Sequence, residues 1–122
     1  MSNSQDIRQI MRDKRLASLG DAFVNFVYSL ALSKSSGNPQ AVKVSDRILA
    51  EAFRLAGLRK YLGTRVSRKD IANASESLLF EAYHRKLVSI EEGVGIITQN
   101  LDGPEAGLFE LLKLVAVRVD HS

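Results

Sequence analysis

The chain has 122 residues, 45% of them apolar, with 17 Lys and Arg against 14 Asp and Glu and no cysteine. That length holds one domain, residues 1–122, with enough apolar surface to build a core unaided. The lack of cysteine excludes thiol nucleophiles, thiolate metal sites and a disulfide scaffold. A net charge of +3 permits a nucleic-acid partner without requiring one.

Helical periodicity dominates, so the expected fold class is all-α. The opening Met1-Ser2-Asn3-Ser4-Gln5-Asp6 lacks the basic and then apolar order of a secretion leader, and a cytoplasmic location is expected. A short first helix runs from Gln5 to Arg12, with Ile7, Ile10 and Met11 on one side. The next, Lys14 to Lys34, is apolar nearly all round, which places it at the centre of a bundle. Its charge-poor stretch Leu16–Ser33 approaches the ~20 residues of a membrane span. Asp21 and Asn25 near its middle argue instead for a core helix, since a buried carboxylate at bilayer depth costs ~3 kcal/mol.

Ser35-Ser36-Gly37-Asn38-Pro39 breaks the chain. Ser45 caps a third helix with the stripe Ile48, Leu49, Ala52, Phe53 and Ala56, ended by Gly57. Ser67 caps a fourth, reaching Leu87, with Ile71, Ser75, Leu78, Leu79 and Ala82 inward. Ser89 with Glu92 reads as a capping box opening a fifth helix to Leu101, whose Gly93 and Gly95 suggest close packing. Pro104 opens a last helix, Glu105 to Val119; Leu114 and Val117 lie off its main stripe and point to a second covered surface.

Two acids stand out. Asp21 is the only charge between Arg15 and Lys34, so it needs a cation, a donor cluster or a metal. An ion pair with an arginine from another helix is one solution. Glu76 falls at the shoulder of the fourth helix's stripe, three residues from Asn73 and so on one face with it. Converging carboxylates repel unless a cation joins them, and oxygen ligands without Cys or His suit Mg²⁺ or Mn²⁺. Basic residues gather at Arg12, Lys14 and Arg15, at Arg59 and Lys60, at Arg65, Arg68 and Lys69, and at Arg85 and Lys86. On charge alone these are solvated helix ends as readily as a nucleic-acid footprint. His84 and His121 are not placed like general bases.

Leu16-Ala17-Ser18-Leu19-Gly20-Asp21-Ala22-Phe23 resembles the ribonuclease III signature. Val44-Ser45-Asp46-Arg47-Ile48-Leu49-Ala50, with Ala56-Gly57-Leu58 and Tyr61-Leu62, resembles the family's next segment. Asn73-Ala74-Ser75-Glu76-Ser77-Leu78-Leu79, with Ala82-Tyr83, resembles its second acidic helix, and the blocks come in the family's order. The resemblance implies a helical endonuclease domain, expected to be a homodimer, that lays double-stranded or structured RNA across a shared cleft. It implies Mg²⁺ or Mn²⁺ held by Asp21 and Glu76, with Asn73 beside them, and products with 5′-phosphate and 3′-hydroxyl ends.

The chain departs from the family pattern at three positions. Ala17 and Asn73 stand where the family usually has acids, and Ser18 where it often has an aromatic dimer anchor. The family's Mini-III branch is similar to this chain: it has Ala at the first position, a non-acidic residue at the second, and no separate RNA-binding domain. By that analogy the expected substrate is a folded precursor such as ribosomal RNA. Arg65, Arg68, Lys69, Arg85 and Lys86 would form the phosphate-contacting rim, and no membrane is expected as a partner. The alternative is a non-catalytic module of the same fold that binds structured RNA or a ribosomal particle.

Overall fold

The computed structural model describes residues 4–122 and contains six α-helices, with no strand among the described residues. They are α1 (Ser4–Arg12), α2 (Lys14–Ser36), α3 (Asp46–Leu55), α4 (Arg68–His84), α5 (Ile90–Thr98) and α6 (Ala106–Asp120). A short 3₁₀ turn, Arg59–Tyr61, joins α3 to α4. Residues 1–3, where the expected leader-free opening begins, lie outside the described residues.

The helix starts follow local chemistry. The Asp13 carboxylate accepts from the amides of Arg15 and Leu16, and Ser45 accepts from Ile48. Ser67 and Asp70 cap each other reciprocally at the start of α4, each bond 3.1 Å long. The box expected at Ser89 is only half made. Ser89 accepts from the Glu92 amide, but the Glu92 carboxylate turns away to a bidentate pair with Arg118 on α6, at 2.6 and 2.8 Å. The bidentate pair with a guanidinium, charged on both sides, takes the carboxylate that would otherwise accept from the cap amide.

The central position belongs to α4, not α2. Residues 74–79 of α4 are all buried, and it packs on α1, α2, α3 and α6. Helix α2 buries Ala17, Gly20, Phe23, Val24, Val27, Tyr28 and Ala31 but leaves Leu19 and Phe26 about half exposed, at 51% and 54%. By length and composition α2 matches a membrane span, yet its buried side makes the largest helix–helix contact of the fold, against α4. Helix α4 ends at His84, three residues short of expectation, because Lys86 adopts a left-handed backbone (φ 62°). The fifth helix ends at Thr98 rather than Leu101, and the last begins at Ala106, with the Pro104 carbonyl accepting from the Tyr28 hydroxyl at 3.0 Å.

A polar ladder runs along α2. Ser33, Ser29, Asn25 and Asp21 recur every four residues and so share one face. Gln40 is held by Ser33, Val42 by Ser29, and the Val44 amide by the Asn25 side-chain oxygen at 2.8 Å. The segment between α2 and α3 is thereby fastened along α2 and delivers Lys43 to Asp21, where the Nζ lies 3.0 Å from Oδ1.

Candidate active site

Gly20 explains how two acids on different helices meet. A Cβ there would overlap the Glu76 carbonyl, so α2 and α4 touch backbone to backbone at this point. The residue after Gly20 on α2 is Asp21, and its carboxyl group reaches the Glu76 carboxyl within hydrogen-bonding distance. The two acids singled out in the sequence are therefore brought together. Gly93 also packs closely, against Val27 and Leu111, whereas Gly95 faces open space.

Which acid is buried reverses the expectation. Asp21 keeps 46% of its side chain exposed, and its cation is Lys43 from the loop rather than an arginine from another helix. Glu76 is only 4% exposed. The Lys43 ammonium, despite partial burial and with help from Glu76 and Asn25, holds the Asp21 carboxyl below its usual range. Burial foremost, then the hydrogen bond and charge of Asp21, pushes the Glu76 carboxyl up to about 8. The resting site at neutral pH is thus a protonated Glu76 donating to an ionised Asp21, which also accepts from Lys43 and from the Asn25 amide at 3.3 Å.

Ala17, one turn before Asp21, is buried and contributes only a methyl group. Among the described residues no group of three or more His, Cys, Asp or Glu side chains is arranged to hold a metal. Two oxygen-donor acids on rigid helices still fit a hard cation such as Mg²⁺, which keeps several waters and takes one or two carboxylates plus substrate phosphate. Asn73, expected beside Glu76, is half-buried and lines a separate cavity of about 370 Å³ with Asp13, Lys14, Leu62 and Asp70.

The expected basic residues divide into two groups. Arg65, Arg68 and Lys69 are exposed at the start of α4, Lys69 pairing with Asp46 at 3.6 Å. Arg85 and Lys86 follow the far end of this 17-residue helix, ~25 Å away at 1.5 Å per residue. Lys86 is exposed, whereas Arg85 is engaged with Glu81 at 2.7 Å and with Asp6 at 3.2 Å. Lys43 and Asp46 also belong to the site, although nothing in the sequence singles them out. Both act electrostatically on Glu76, and the polar ladder that delivers Lys43 shows in the sequence only as a four-residue spacing.

The fold is an all-helical domain in which two carboxyl groups meet where a small residue lets two helices touch. The ribonuclease III family model matches residues 14–113, covering both acids, and the chain belongs to the ribonuclease III family. No curated protein matches the chain.

Proposed function

We propose that the protein is a divalent-metal-dependent endoribonuclease that hydrolyses double-stranded or structured RNA to 5′-phosphate and 3′-hydroxyl ends. The observation that carries this reading is the Asp21–Glu76 pair, in which an acid stands at a buried position although burial penalises its charged form. Asp21 and Glu76 would hold Mg²⁺ or Mn²⁺. Bound there, the ion would lower the pKa of a coordinated water and neutralise charge on the scissile phosphate. The chain's own part is to bring two oxygen donors together, to release the proton from Glu76, and to move the Lys43 ammonium off Asp21.

Arg65, Arg68, Lys69 and Lys86 are exposed cations for the RNA backbone, and Arg85 shares the Lys86 end of α4. A homodimer would extend the cationic surface across two copies. Leu19 and Phe26, with Tyr83 beside Phe23 at a ring separation of 4.9 Å, form an exposed apolar face next to Ser18 that suits such a contact. Val117, with half-buried Leu114, offers a second surface. The substrate proposed is a folded precursor such as ribosomal RNA, in the cytoplasm.

One observation favours a second reading. Lys43 and the Glu76 proton leave the resting site balanced without any metal, as a non-catalytic RNA-binding module of this family would allow. Incubation with a structured RNA in Mg²⁺ or Mn²⁺ separates the two. Chelator-sensitive cleavage leaving 5′-phosphates supports the enzyme; binding without cleavage in either metal supports the module.

A further inference from the structure

A cavity opens along the same seam between α2 and α4 that holds the acids. Lys14 and Asp21 are seven residues apart on α2, and Asn73 and Glu76 are three apart on α4. Both spacings keep the two residues on one helix face, with ~5–6 Å between Cβ atoms for the second pair. Lys14 and Asn73 line a cavity of about 370 Å³, which therefore lies toward the starts of both helices from the Asp21–Glu76 contact. Its wall is tied to the acid-bearing turn, because the Ser77 hydroxyl donates to the carbonyl of Asp13, another lining residue, at 3.0 Å. A strand held at the acids would pass the mouth of this cavity within one or two nucleotides.

The lining combines an apolar surface with a polar edge. Met11 is buried, Leu62 and Val66 are half-buried, and all three contribute to it. Two of the polar groups are already committed. Asp13 accepts from the amides of Arg15 and Leu16, and Asp70 exchanges hydrogen bonds with Ser67. Asn73 differs. Its half-buried amide makes no hydrogen bond among the described residues, which leaves a donor and an acceptor side by side in one plane. Such an amide matches a base edge that offers an amino group beside a ring nitrogen, as adenine does. The carboxylates at the edge accept hydrogen bonds and donate none, which also favours an amino group over a carbonyl. The volume lies near the lower end of the ~300–1,000 Å³ of small-ligand sites, enough for one planar ring system. A paired base cannot enter, because its partner covers that edge and its neighbours in the stack cover its faces.

We propose that this cavity receives one unpaired, amino-bearing base, adenine above all, from the RNA strand next to the cut. The inference rests on the RNA-cleaving reading of the neighbouring acids and narrows its substrate class. Folded RNA with a bulged or looped-out nucleotide is preferred to uninterrupted duplex. An unpaired base is the least costly to take out of the stack, and apolar contact with its faces plus hydrogen bonds to its edge hold it.

The test is the affinity of the full chain, in EDTA, for three fluorescent RNA hairpins. One carries a single bulged adenosine, one an abasic residue in its place, and one is fully paired. Wild type is compared with Gly63→Leu and Asn73→Leu. Gly63 lines the cavity, its backbone is not left-handed, and a Cβ there meets nothing within 4 Å, so a side chain at this position fills open space. Thermal melting confirms that each variant folds. Wild type is expected to bind the adenosine bulge ~10-fold more tightly than either other hairpin, within the range of one bidentate base contact. Both variants should lose that preference, and Gly63→Leu should bind the paired hairpin as wild type does. Equal affinity of wild type for all three hairpins overturns the base-binding cavity and leaves the RNA reading intact. A preference for the adenosine bulge that survives either substitution also overturns it, because the base is then read elsewhere. Wild type that binds none of the hairpins sinks both readings.

Discussion

Gly20 of α2 lies against the backbone of Glu76 on α4, and this contact sets Asp21 beside the Glu76 carboxyl. The meeting of the acids thus depends on a residue with no side chain. Gly20→Ala would drive a methyl group into the Glu76 carbonyl and force the helices apart. We expect a loss of ~1–3 kcal/mol in denaturant unfolding. Nuclease activity should fall further than the folded fraction does, because the carboxyl groups separate even in molecules that fold.

The raised pKa of Glu76 fixes the sign of a stability change. Between the ordinary glutamate value of 4.5 and about 8 the folded chain keeps a proton that the unfolded chain has lost. The contribution of Glu76 is complete below that window and disappears as pH rises through it. Asp21, whose pKa is lowered, loses its contribution only as pH falls below about the ordinary value of 3.8 and so does not offset this. In EDTA, wild type should lose stability from pH 5 to pH 8 with a slope of up to ~1.4 kcal/mol for each step of one in pH, and Glu76→Gln should show a flatter profile. Urea titrations at the two pH values measure the difference.

Lys43 competes with a cation for the same oxygen of Asp21. Replacing it with Gln removes that competitor and leaves both acids in place. Calorimetric titration with Mn²⁺ should show tighter binding to Lys43→Gln than to wild type, by several-fold. Equal or weaker binding would mean that the ammonium does not occupy the ion's position.

The apolar face of α2 gives a test of assembly. Phe26 is 54% exposed, so Phe26→Glu should leave folding within ~0.5 kcal/mol of wild type. Sedimentation should show a dimer for wild type and a monomer for the variant. Dissociation by Val117→Glu instead would move the interface to α6.

The helices were legible because their starts and inner stripes are local: Ser45, Ser67 and the Leu108–Val119 stripe all do what their spacing implies. Their ends were less so, since Lys86 stops α4 through a left-handed turn that a lysine seldom signals. The acids were legible as residues out of place, but not their burial. Helix α2 is the more apolar sequence, yet α4 is the more enclosed, because packing on four neighbours decides burial and composition does not. Lys43 was illegible for the same reason. Its position depends on Asn25, Ser29 and Ser33 fastening a loop, which is a tertiary contact.

The central claim is that Asp21 and Glu76 together cut RNA with a divalent ion. It is tested most directly by cleavage of a structured RNA in Mg²⁺ by wild type, Asp21→Asn and Glu76→Gln, with RNA binding measured alongside. Wild type is expected to cut, and both variants to bind RNA but cut at least ~100-fold more slowly, because losing even a residue that supports a metal ligand costs ~10–100-fold and a ligand itself is lost here. Cleavage that survives either substitution at the wild-type rate would contradict the claim.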